Sequence, residues 1–542
     1  MNGYDYGVML GVLLLIAGYG AWRTRRRGDM AAYWKGAGRT PWIVIGLSVM
    51  ATQASAITFL STPGQGYDGG LRFVQNYFGL PLALIIISAV FLPLYRRFNV
   101  YTAYEFLGKR FDNRTRLLGA AFFLLQRGLQ AGITIYAPAI VLTPVMGWRL
   151  DVTIVCTGLV VIIYTVSGGC DAVSITQKYQ FGVIAAGMVA AVVVLLMKLP
   201  DSLSFGDTLR IAGGFNKLEA VDFKFDLHER YNIWSGILGG LFLSLSYFGT
   251  DQSQVQRYLS GSSLRDSRLG LMFNALLKIP MQFGILLLGV LLFVFYQFEP
   301  APVYFNQTAW NRAKVESGVN RLDSIERAYA DANGAKTSSM QTWLEAGRSG
   351  DRAAAEVFIT FVLDFLPHGL IGLLMAVFFA AALSSLSAEL SALGETTNVD
   401  FYRFVIRRNA DERHYVASSR WLTIFWGGVA ICFALFVQQQ ENLIEAINIV
   451  ASLFYGVVLG MFLVAFFFSF VRGIAIFWGA ITAEAVIIIL YFSNKFLLAM
   501  GNNVLDFSYL YYNMIGCVAC VALSLVFQLA LKGRIHLNGP KS

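Results

Sequence analysis

Charge is what this chain has least of. Asp, Glu, Lys and Arg make up 14% of its 542 residues and hydrophobic residues 56%, whereas soluble domains carry roughly a quarter charged residues. That deficit excludes an ordinary soluble globular protein. Cysteine is scarce too. The five present (Cys156, Cys170, Cys432, Cys517, Cys520) lie in or beside apolar segments without zinc-ligand spacing, so neither a disulfide framework nor a metal centre is implied. Four scattered histidines (His228, His368, His414, His536) argue against a haem bundle and an embedded redox enzyme. No nucleophile–base pair or phosphate loop interrupts the apolar segments, so neither an enzymatic activity nor a cofactor is expected.

Apolar windows of about twenty residues recur instead, each enough to cross a hydrocarbon core of about 30 Å. The chain reads as an all-α integral membrane protein. About thirteen transmembrane helices begin near residues 5, 42, 73, 117, 151, 173, 233, 267, 368, 418, 441, 473 and 508. Basic residues cluster in alternate connections: Arg23, Arg25, Arg26, Arg27, Lys35 and Arg39 in the first, then Arg96, Arg97, Lys109, Arg110, Arg114 and Arg116 in the third. The second has only Arg72. By the positive-inside rule the N-terminus is outside and the C-terminus inside, and the net charge of +9 reports topology, with no nucleic-acid partner implied.

The first segment lacks a basic n-region and a cleavage site, and reads as an uncleaved anchor. Residues 1–40 form this anchor and a basic cytoplasmic loop, 41–200 a first five-helix set, and 201–232 an external loop. A second five-helix set covers 233–470 with an external insertion at 299–353, and 471–542 hold the last helices and a short cytoplasmic tail. A multi-pass protein with short loops and one external sequon, Asn306-Gln307-Thr308, suits a bacterial inner membrane. The lipid bilayer is its surrounding, and no obligate protein partner is evident.

In lipid, irregular backbone is tolerated only against protein or a wet cavity, so a span broken by small polar residues points to a binding site. Two spans stand out. The second carries Gln53, Ser55 and Thr58 before the Pro63-Gly64-Gln65-Gly66 break; the seventh runs from Gly239-Gly240 through Ser244, Ser246, Tyr247, Gly249 and Thr250 to Asp251. Small residues of this kind also serve simply for close helix packing. Each span opens a set of five, and an odd number of helices per set gives an inverted repeat. The ninth span places Ser384 and Ser385 on a helix of very small residues, and hydroxyl and carbonyl oxygens are the ligands a small hard cation needs.

Together these residues resemble the sodium:solute symporter family. The resemblance spans roughly residues 5 to 490 and is carried by Ser55-Ala56-Ile57-Thr58-Phe59 with Pro63 and Tyr67, by Tyr104-Glu105-Phe106-Leu107 with Arg110-Phe111, by Ser167-Gly168-Gly169, by Gln256-Arg257-Tyr258 and by Ala381 to Ser385. It implies a LeuT-like five-plus-five inverted repeat with sodium as the coupling ion. By motif position sodium falls to the carbonyls of Ala51, Ala54 and Ala381 and the hydroxyls of Ser384 and Ser385. The substrate falls to Gln53, Ser55, Thr58, Asn76, Tyr77, Ser244, Tyr247, Lys278 and Asn448. The partners are then sodium and a small solute.

The departures bear on cargo and coupling. A galactose-type site has Ser-Ala-Glu-Gln in span two and Tyr-Glu in span three, unlike Ala56-Ile57-Thr58 and Asn76-Tyr77 here. The run with Pro63 is more similar to the sialic acid, iodide, monocarboxylate and multivitamin branch, and embedded Arg127, Lys178 and Lys278 favour an organic anion. Sugar or polyol symport is the alternative. Lys278 amid apolar neighbours must face water or a partner, Asp251 being the candidate for an ion pair. Where many members have Thr-Asp, this chain has Thr176-Gln177-Lys178, so Lys178 stands as a built-in cation, a proton carrier or a side chain snorkelling to the interface. Glu389, one turn after Ser385, is a further coupling candidate or the partner of Arg127. A membrane solute sensor is the reading from another class, and the roughly ten residues after the last span leave no room for a kinase.

Overall fold

The computed structural model describes residues 1–24, 41–226, 228–299, 352–436, 443–499 and 508–537. Nine of the described helices are long and apolar enough to cross a membrane, and four shorter apolar helices accompany them at Gly3–Leu15, Trp42–Gln53, Leu150–Val166 and Ser235–Thr250. No strand occurs among the described residues.

After α1 (Gly3–Thr24), Pro41 starts α2 (Trp42–Gln53). Pro removes a backbone donor that the first helical turn leaves unused anyway. The helix stops at Ala54 (φ −79°, ψ 66°) and Ser55 (φ −74°, ψ 170°), two non-helical residues, and resumes as α3 (Ala56–Gly69). Such a break frees carbonyls inside the apolar layer. The one on Gln53 is recovered by the Thr58 hydroxyl, which donates to it at 3.1 Å. A 3-10 segment, Gly70–Tyr77, then leads into α4 (Leu80–Ile86), a π turn and α5 (Leu92–Arg97). Gly70 takes φ +70° with the Lys217 carbonyl against it, a position with no room for a side chain.

Short α6 (Ala103–Arg110), capped by Thr102, precedes α7 (Asn113–Met146), whose first turn is held by the Asp112 carboxylate accepting from the Thr115 amide at 2.8 Å. The helical run α8 (Leu150–Lys198) passes straight through the point where the sequence separates spans five and six. At about 1.5 Å per residue it is longer than one crossing needs, and its two apolar stretches flank residues 167–178. Surface helix α9 (Phe205–Gly214) starts with a Ser204–Asp207 capping box, whose hydrogen bonds hold the Asp207 carboxyl below its usual range.

The seventh span begins as a π turn (Ser235–Gly239), runs as α10 (Gly240–Thr250), breaks at Asp251 (φ −79°, ψ 120°) and continues as α11 (Gln252–Leu259). Both spans singled out by their small polar residues are therefore interrupted. The remaining helices are α12 (Leu264–Phe298), α13 (Arg352–Phe365), α14 (Leu370–Thr396, prolonged by a π stretch to Ile406), α15 (Glu412–Phe436), α16 (Leu443–Phe467), α17 (Gly473–Ala499) and α18 (Leu510–Leu537). In the core, α12 packs on α2 and α3, and α14 on α8 and α7, while α17 and α18 pack on each other at the side.

Glycine sets the approach of α3 to α12. A Cβ on Gly66 would meet the Leu286 carbonyl and one on Gly289 the Pro63 carbonyl, so each helix puts a bare backbone where the other runs past. Gly284, also on α12, faces open space. Gly289→Ala should therefore destabilise by about 1–3 kcal/mol through overpacking, read as a lower apparent Tm of the purified protein, with Gly284→Ala unchanged; equal effects in the two would refute the packing assignment.

Candidate functional site

The break in span two and the helix α10 that leads to the break in span seven border one cavity of about 150 Å³. Its walls include all nine residues expected to meet substrate: Gln53, Ser55 and Thr58 around the first break, Asn76 and Tyr77 on the 3-10 segment, Ser244 and Tyr247 on α10, Lys278 on α12 and Asn448 on α16. Thr52, Arg127, Gln130, Thr134, Glu389 and Tyr455 complete the polar lining. Gln53 Nε2 and Asn76 Oδ1 are buried and make no hydrogen bond among the described residues, as expected of groups that serve a ligand or water.

Beside the cavity, α14 crosses the end of α2. Ala51, Ala54, Ala381, Ser384 and Ser385 are at most 1% exposed. The Ser384 hydroxyl lies 3.5 Å from the Ala51 carbonyl, while the Ser385 hydroxyl donates back along its own helix to Ala381 at 3.1 Å and Ala382 at 3.4 Å. Ala54 leaves the helix, so neither its carbonyl nor that of Ala51 takes a bond from a described backbone amide. The outcome is a small pocket edge of neutral oxygens with no carboxylate, a donor set suited to a monovalent cation. Gln177 and Lys178 fall in the stretch 167–178 of α8, and their side chains lie outside the described residues.

The structure corrects the expected ion pair of Lys278 with Asp251. Asp251 is bound instead by Arg127, and its Oδ2 also accepts from the Tyr455 hydroxyl at 2.5 Å. Its Oδ1 accepts from the Ser253 amide at 2.9 Å and hydroxyl at 2.6 Å, capping α11. Arg127 further meets Glu389 at 3.3 Å and the Tyr455 hydroxyl at 2.7 Å, and stacks over the Tyr247 ring at 5.5 Å. Between two carboxylates, Arg127 is no free anion receptor. That role was expected of it because a sequence does not say which buried charges meet.

Lys278 is 2% exposed, and among the described residues it makes no ion pair or hydrogen bond; its ammonium lies over the Tyr77 ring, 5.4 Å from the centroid. A cation–π contact contributes about 0.5–2 kcal/mol, less than the several kcal/mol of desolvating an ion. The ring therefore does not offset the burial of Lys278, and an anionic ligand in the cavity would.

The broken helices and the cavity between them define the architecture of a secondary transporter. The fold is shared with an outward-open Na+-coupled sialic acid symporter (TM-score 0.78, 24% identity, 98% of each chain covered) and with Mhp1, a nucleobase-cation-symport-1 family transporter (TM-score 0.51, 12% identity, 92% of this chain and 95% of that one). The family model of the sodium:solute symporter family matches residues 33–316 and 340–483, and the chain belongs to that family. Relatives include the human sodium/iodide cotransporter, 32% identical over 54% of this chain and 46% of that protein, so the match spans less than half of that relative. The human sodium-coupled monocarboxylate transporter 1 is 27% identical over 89% of this chain and 72% of its own length. The Proteus mirabilis sodium/sialic acid symporter is 26% identical over 85% and 84%.

Removing Arg127 would leave Asp251 and Glu389 buried without their cation, a loss of about 3–5 kcal/mol, whereas Tyr455→Phe removes only hydrogen bonds at about 1 kcal/mol or somewhat more. Arg127→Met should therefore lower the apparent Tm far more than Tyr455→Phe in parallel fluorescence melts. Comparable melting of Arg127→Met and the unsubstituted protein would contradict the assigned network.

Proposed function

We propose that this protein is a sodium-coupled symporter that imports a small organic anion by alternating access around the cavity between its two broken helices. The observation that carries the anionic cargo is Lys278, a buried ammonium on the cavity wall without a carboxylate partner among the described residues. Iodide, monocarboxylates and sialic acid, named for the relatives, are anions too. A sugar or polyol would leave the Lys278 charge without a counter-charge. Gln53, Ser55, Thr58, Asn76, Tyr77, Ser244, Tyr247 and Asn448 would then supply neutral hydrogen bonds and apolar contact.

Sodium would sit between α2 and α14, held by the carbonyls of Ala51, Ala54 and Ala381 and the hydroxyls of Ser384 and Ser385. Binding there would tie the end of α2 to α14 and favour the substrate-ready state, which is what coupling requires. Glu389, one turn beyond Ser385, would carry that link to the cavity, and Gln177 and Lys178 are the remaining coupling candidates. In a bacterial inner membrane the chain would cross thirteen times, with the N-terminus outside and the five-helix sets 41–200 and 233–470 related as an inverted repeat. A reporter fused to the C-terminus should then be active only in the cytoplasm; periplasmic activity would reverse the orientation.

Sodium should raise the apparent Tm of the purified protein above its value in potassium at matched ionic strength, because a ligand bound only by the folded state stabilises it, by about 2.7 kcal/mol at a hundred times Kd. Ser384→Ala and Ser385→Ala should lose most of that increment. A full sodium increment in both variants would sink the cation assignment.

A further inference from the structure

The cavity is electrically bipolar. Lys278 on α12 and Glu389 on α14 both line it, a cation and a carboxylate brought to one small space by two different helices. Counted formally, the charges around Glu389 do not cancel: Arg127 brings one positive charge, and the carboxylates of Asp251 and Glu389 two negative ones. That formal excess of one negative charge equals the one positive charge of Lys278, so the Arg127 cluster and Lys278 are neutral in sum. Asp251 is saturated by Arg127, Tyr455 and Ser253 and does not line the cavity. Glu389 does line it. Its Oε1 meets Arg127, while Oε2 is buried and makes no hydrogen bond among the described residues. A buried carboxylate oxygen without a donor is costly, and a ligand donor, best a charged one, would satisfy it.

We propose that the cargo is a small amino-carboxylate, bound with its carboxylate on Lys278 and its ammonium on Glu389. This rests on the reading of an anionic cargo above, since the carboxylate is that anionic group, and adds a second pole to it. A simple anion would satisfy Lys278 and leave Glu389 as it is. A zwitterion satisfies both and adds no net charge to a low-dielectric space. Size agrees: about 150 Å³ is the volume of a cavity that holds benzene, six heavy atoms, and alanine has the same number.

The test is sodium-dependent stabilisation of the full-length purified protein titrated with matched probes: propionate, lactate and butyrate against alanine, β-alanine and 4-aminobutyrate, which allow for the separation of the poles. The best amino-carboxylate should bind at least tenfold more tightly than any of the other three. Lys278→Met should abolish binding of every probe, and Glu389→Gln should reduce the advantage of the amine to within about threefold while simple carboxylates still bind. If propionate, lactate or butyrate binds as tightly as the amines in the unsubstituted protein, the bipolar assignment is wrong and the anionic cargo stands. Sodium-dependent binding of none of the six overturns both. An unchanged amine advantage in Glu389→Gln also overturns the role of Glu389; should that variant fail to fold, the probe series on the unsubstituted protein decides alone.

Discussion

Arg127 is a permanent cation in the middle of an apolar bundle, and the arrangement around it follows from how that charge is held. A guanidinium has five donors in a rigid fork and cannot shed its proton, so it must gather acceptors from whatever helices surround it. Here it gathers Asp251 from the break between α10 and α11, Glu389 from α14 and Tyr455 from α16, all onto α7. Four elements distant in sequence are tied at one depth. The tie also fixes the break in span seven, because the carboxylate that meets Arg127 caps α11 with its other oxygen.

The second interrupted span solves the same problem without charge. Ala54 and Ser55 unwind between α2 and α3, and the Ala51 carbonyl just before the break meets the Ser384 hydroxyl of α14, next to Ser385. The oxygens gathered at that edge are neutral ones of backbone carbonyls and hydroxyls. Glu389 stands one turn further along the same helix, at the cavity wall. A single helix thus touches the hydroxyl and carbonyl oxygens at the end of α2, the Arg127 cluster and the cavity, a geometry through which occupancy of one region can bias another.

Against that cluster Lys278 is the exception. Its neighbours on α12 are apolar, and its environment supplies a ring and no carboxylate among the described residues. Two buried cations of equal formal charge therefore do opposite work: Arg127 is spent on the scaffold, and Lys278 is left for the cavity.

Much of this was legible in one dimension. The absence of charge over windows of about twenty residues dictates helices in a bilayer, because lipid offers backbone groups no other partner. Small polar residues inside spans two and seven mark the interruptions for the same reason, and the nine substrate candidates were reached from those interruptions and a family resemblance. Which buried charges pair was not legible. Asp251 could be matched with Lys278 or Arg127 equally well on sequence, since ion pairing depends on approach to within about 4 Å, and that distance is set by how α7, α10, α12 and α14 pack. The sequence by itself determined the class of structure and the places where its helices break; only the tertiary structure decided which cation is neutralised and which faces the cavity, because pairing is a property of helix packing and not of any one helix.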